Sequence, residues 1–146
     1  MELYDDVHAA VNDFGGFQRR WSKVKKGFED FFGNFNPEAL QISGVSIELD
    51  ALAGTCAIEA FGRTFAVSLT PLLRGDKELV GNVEFVEVVR EKRLPINRFL
   101  ITPQQNVTTL GGETLMPVSD FSNLQTLYIF NLLLQGLSRP VISTDD

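Results

Sequence analysis

The sequence predicts an α+β protein: an amphipathic helix, then five to seven mostly antiparallel strands, then an apolar helix packed on the same sheet. Three observations carry that prediction. Residues 2–32 place apolar side chains at alternating spacings of four and three. Residues 40–116 alternate apolar and polar with period two. Residues 120–137 return to a helical and strongly apolar pattern.

The first helix is read from Leu3, Val7, Ala10, Phe14, Phe17, Trp21, Val24, Phe28 and Phe31, which fall on one stripe. Gly15 and Gly16 are poor helix formers, at about 1 kcal/mol each relative to alanine, and leave open whether the helix runs straight through, kinks or divides there. Gly33 is the expected C-cap, and Pro37 stops the helix.

In the strand zone, Val45, Ile47 and Leu49 share a face, and Gly44 is read as a bulge bringing Leu40 and Ile42 into phase. The stretch 56–69 predicts a hairpin turning at Gly62-Arg63. Cys56, Ile58, Ala60, Phe65, Val67 and Leu69 form its core face. Further strands follow at 81–89 and 98–102, with a last hairpin turning at Gly111-Gly112. The second helix opens with Ser119 or Asp120 as N-cap, and its leucines together with Phe121, Tyr128 and Phe130 cover more than one face. Residues 143–146 read as a loose tail.

At 146 residues and 44% hydrophobic, the chain suits a single domain over 1–146 with a full core. No linker, repeat or low-complexity tract divides it. The formal charge of −6 argues against nucleic acid as a partner. The longest apolar cluster, 124–137, contains Gln125, Asn131 and Gln135 and is too short to span a bilayer. No secretory leader is read in MELYDDVHAA. A single cysteine forms no internal disulfide, which fits a reducing compartment, and a cytoplasmic location is expected.

The chemical inventory is thin. One histidine, His8, and one cysteine, Cys56, cannot assemble a soft-metal site, and no nucleotide-binding or calcium-loop motif is present. No cofactor, metal or catalytic residue is therefore assigned. Cys56 points inward with Ile58 and Val67, so an unreactive thiol is expected. Glu87 shares a face with Val83, Phe85 and Val89, where a carboxylate is read either as an acid or base or, more plainly, as a sign of an edge position, a bulge or a partner such as Arg90 or Arg93. Arg74-Gly75-Asp76 reads as a polar turn.

Between Phe17 and Phe28 the chain carries Arg19, Arg20, Lys23, Lys25 and Lys26 among aromatics. On a helix the two sets separate: Arg19, Lys23 and Lys26 lie opposite the apolar stripe, and Arg20 and Lys25 flank it. Spacing of four also predicts pairs Lys25–Glu29 and Lys26–Asp30. Base stacking with phosphate contact would need cations and rings on one surface.

These observations favour a non-enzymatic, soluble interaction protein of adaptor, chaperone or inhibitor type. Its partner is another protein or a second copy of itself, with neither nucleic acid nor membrane expected. The alternative is a carrier or sensor of a small apolar ligand held between sheet and first helix. Candidate contacts are Phe14, Phe17, Trp21, Phe28 and Phe31. Arg93, Asn97, Arg98 and Gln104 form a candidate polar recognition group near one strand.

Overall fold

The computed structural model describes residues 3–75, 77–119 and 123–141. The chain runs α1 (Val7–Gly33), β1 (Val45–Asp50), β2 (Thr55–Ala60), β3 (Arg63–Arg74), β4 (Glu78–Val89), β5 (Lys92–Ile101), β6 (Asn106–Thr108), β7 (Thr114–Pro117) and α2 (Leu124–Leu137). The seven strands form one antiparallel sheet in sequential order, β1 to β7. Both helices pack on one face of that sheet, so the fold is α+β in two layers.

α1 is continuous through Gly15 and Gly16 and starts at Val7 rather than residue 2. The Asp6 carboxylate caps it, accepting a hydrogen bond from the His8 amide at 3.1 Å. Gly33 is its last helical residue, and Asn34 is the C-cap in right-handed conformation, so the expected glycine cap is not used. Residues 37–41 form a turn, so Leu40 and Ile42 are not brought into β1 by a bulge.

The β2–β3 turn sits at Phe61-Gly62, both at positive φ (52° and 86°), one residue before the expected Gly62-Arg63. Two left-handed residues are what a type I′ turn requires. Ile58 then opposes Phe65, a two-residue slip that leaves every core-face assignment intact. Cys56, Ile58, Ala60, Phe65, Val67 and Leu69 are all buried.

β3 and β4 are the long strands, paired from Thr64↔Val88 to Arg74↔Glu78. Two glycines let the helices approach this ribbon. A methyl group at Gly81 would run into Val24 of α1 and Leu69, and one at Gly136 of α2 would run into the Phe65 ring. The core between the layers holds Phe28, Phe31, Phe32, Phe65, Phe85 and Phe99, with Phe31 edge-on to Tyr128 across the two helices.

α2 begins at Leu124 with Asn123 in left-handed conformation and no side-chain cap. Ser119 is not the N-cap; Asp120 and Phe121, and the expected tail 143–146, lie outside the described residues.

Candidate functional site

The apolar stripe of α1 divides in two. Val24, Phe28, Phe31 and Phe32 are essentially inaccessible. Towards the N-terminus, Val7, Val11 and Phe14 are 75%, 66% and 59% exposed. The division follows from the sheet beneath. Below the N-terminal half of α1 only the β3–β4 ribbon remains, because β2 begins at Thr55 opposite Ser68. After Leu69 donates to the Gly54 carbonyl at 2.8 Å, residues 70–74 of β3 pair, among the described residues, with β4 alone.

Helix and free ribbon enclose an open groove of about 540 Å³ lined by Phe14, Phe17, Gln18, Trp21, Pro71, Leu72, Leu73 and Leu79. Gln18 is its one polar side chain. Phe14 and Phe17 meet edge-on at 5.2 Å between centroids and form a rigid wall. Pro71 lies on the free edge of β3, where a residue without N–H is tolerated.

Polar contacts fix the groove at both ends. At the ribbon tip, Lys77 Nζ donates to Asp13 Oδ2 at 3.0 Å and lies 4.5 Å from the Tyr4 ring centroid. The Tyr4 hydroxyl donates to the same Asp13 oxygen at 2.9 Å. Lys77 first, then Tyr4, holds the Asp13 carboxyl below the ordinary carboxylate range. At the other end, Lys25 Nζ donates to the Leu52 carbonyl at 3.2 Å. The ion pairs found among the described residues do not include Lys25–Glu29 or Lys26–Asp30.

Of the aromatic residues expected at a contact surface, Phe14, Phe17 and Trp21 line the groove, Phe17 from a buried position, whereas Phe28 and Phe31 are core residues 1% and 0% exposed. The expected polar group is dispersed. A one-residue shift of register between Phe85 and Val86 turns β5 over at Ile96. Asn97, opposite Phe85, faces α2 and donates to Gln135 Oε1 at 2.8 Å. Arg98 lies on the opposite face and donates to Asn82 Oδ1 from Nε and Nη2. Arg93 lines a shallow depression on that face with Ala57, Ala66 and Ser68, and Gln104 is an exposed turn residue. The neighbour Gln105 is the one that reaches α1, donating to the Lys23 carbonyl at 2.6 Å.

Glu87 is buried, and its partner is Arg63 rather than Arg90 or Arg93. The guanidinium also donates to the Gly136, Leu137 and Arg139 carbonyls, so the pair seats the C-terminal end of α2. This carboxylate has a structural engagement. Burial pushes the Cys56 thiol up to about 12. Among the described residues no three His, Cys, Asp or Glu side chains gather as a metal-binding group, and no helix is long and apolar enough to cross a membrane.

The far wall of the groove, Pro71, Leu72, Leu73 and Leu79, escapes a reading of periodicity. The available signal was a proline inside a long strand pattern, which marks an unpaired edge. No protein-family model matches the chain, and no curated protein or solved structure is significantly similar to it.

Proposed function

We propose that this chain is a non-enzymatic, cytoplasmic interaction protein that holds an apolar segment of a protein partner between α1 and the free edge of β3. One observation carries the reading: an uncharged groove of about 540 Å³ that joins exposed Phe14 and half-buried Trp21 to a strand edge unpaired among the described residues. An extended peptide meets both requirements, since its backbone can bond to a free edge while alternate side chains enter the groove. The missing donor at Pro71 limits the number of such bonds, so affinity comes mainly from Phe14, Trp21, Leu72 and Leu73. The single buried thiol fits a reducing location.

Trp21 is the chain's one tryptophan and half-buried at the site, which makes it the reporter. Peptides selected from a random display library should shift Trp21 emission on binding and lose binding in a Leu73→Asp variant. A library that yields no binder, or binders indifferent to Leu73→Asp, rejects the reading.

A small apolar ligand is the second reading, favoured by a groove volume within the range of about 300–1,000 Å³ typical of ligand pockets. The neutral dye Nile red separates the two. Saturable one-to-one binding of the dye without any peptide binder supports a carrier, and failure of the dye to bind rejects it.

A further inference from the structure

We infer that α2 is a self-association helix, along which two copies of this chain dock antiparallel with Asn131 on the two-fold axis.

Its buried side is Gln125, Ile129, Leu132, Leu133 and Gly136. The opposite side carries Leu124, Leu127, Asn131 and Leu134, with the leucines 43%, 55% and 62% exposed. Those four positions are spaced three, four and three, the a/d pattern of a helix–helix seam. None of the fourteen residues of α2 is an aspartate, glutamate, lysine, arginine or histidine, in a chain where 22% of residues are charged. A helix face turned to water ordinarily carries that charge.

The lack of charge also selects the occupant. Two copies at −6 each repel, and they can share only a face that brings no like charges together. α2 supplies one. An anionic lipid surface finds no lysine or arginine on this helix to hold it, and a partner chosen by charge finds nothing to read. Asn131 completes the argument. It lies seven residues from both Leu124 and Ser138, at the middle of the exposed stripe. Its amide offers donor and acceptor together, so across a two-fold axis it satisfies its own copy. The same axis sets Leu127 against Leu134 of the second copy. Fourteen residues make about 21 Å of helix, and two such helices docked side by side bury on the order of 1,000 Å² in total, the lower limit for a specific interface. The dimer is therefore weak and concentration-dependent, and its surface is separate from the groove at α1.

Sedimentation equilibrium on the full chain tests this. The mass should rise from 16.3 kDa towards twice that value with concentration. The double variant Leu127→Glu/Leu134→Glu should remain monomeric with an unchanged circular dichroism spectrum. Under mild oxidation Asn131→Cys should form a covalent dimer. Leu124→Cys should not, because antiparallel copies hold that position on the order of 20 Å from its mate. Buried Cys56 does not compete. A chain that stays monomeric at millimolar concentration overturns the inference. So does a dimer indifferent to the double variant, or cross-linking as ready through Leu124→Cys as through Asn131→Cys. Sedimentation on phosphatidylserine vesicles that the double variant abolishes, without self-association, assigns the face to lipid and equally overturns it.

Discussion

Arg63 and Glu87 share two hydrogen bonds, Nη2 to Oε1 at 2.6 Å and Nε to Oε2 at 2.7 Å, while the same guanidinium holds the last carbonyls of α2. One side chain thus joins the β2–β3 hairpin, the β4 strand and a helix at the far end of the sequence. The Glu87 carboxylate in turn raises the Arg63 pKa further above its ordinary value. Arg63→Met removes the donor to five acceptor atoms and leaves a buried carboxylate uncompensated, and should cost about 3 kcal/mol in urea unfolding. Glu87→Gln keeps the shape and a neutral acceptor, and should cost about 1–2 kcal/mol. Equal losses in the two variants would refute the assignment of Arg63 as the helix clamp.

The two halves of the α1 stripe should separate in a stability scan. Phe28→Ala opens a hole in a fully buried site and should cost about 3–5 kcal/mol. Phe14→Ala, more than half exposed, should stay within about 1 kcal/mol while weakening groove binding. A large stability loss at Phe14 would mean that the groove is core rather than binding surface.

Close approach at Gly136 predicts a cost for the smallest addition. Gly136→Ala drives a methyl group into the Phe65 ring and Ile96, and overpacking of that kind costs about 1–3 kcal/mol. The check is the denaturation midpoint at unchanged m-value. A neutral or stabilising outcome would show that α2 can lift away from the sheet.

Asp13 provides a pH test at the tip of the groove. Its carboxyl is held below the ordinary range by Lys77 and then Tyr4. The folded value being depressed, the contact is intact above the unfolded carboxylate pKa and is lost as pH falls through the folded value. Carboxyl titration by NMR should place Asp13 low in the native protein and return it towards the ordinary value in Lys77→Met. No movement in that variant would remove Lys77 as the cause.

Cys56 sets a window at the other end of the scale. Its thiol rises from an ordinary 9.0 to about 12 through burial. The native chain therefore keeps it protonated where the unfolded chain ionises. Its contribution to stability is complete below 9.0 and is lost as pH climbs towards about 12. Near pH 8 an aromatic disulfide reagent should label Cys56 only as fast as the chain opens. Labelling at the rate of a free thiol would contradict its burial.

The fold was legible because its periods are clean. The stripe of α1, the alternation 56–69 and the apolar run of α2 each point to one side of a sheet, and burial follows the alternation 56–69 residue by residue. What escaped was decided by pairing. The Phe61-Gly62 turn depends on a phenylalanine accepting positive φ, which local preference disfavours. Strand alternation puts Asn97 and Arg98 on opposite faces, and the register shift at Ile96 separates Arg93 from Asn97, which adjacency in sequence had grouped. The site was half legible: Phe14, Phe17 and Trp21 belong to a periodic stripe, but where that stripe leaves the core depends on β2 being shorter than β3. No local pattern encodes a difference in length between two strands.

The sequential order of the strands has a kinetic consequence. Each strand's partners are its immediate neighbours in the chain, so the sheet can zip up hairpin by hairpin with small loops to close. The two helices are different: Phe31 meets Tyr128, and Phe35 meets Phe130, across nearly the whole chain. Their encounter carries the largest closure entropy in the molecule, which makes the joining of its two ends the late event in folding.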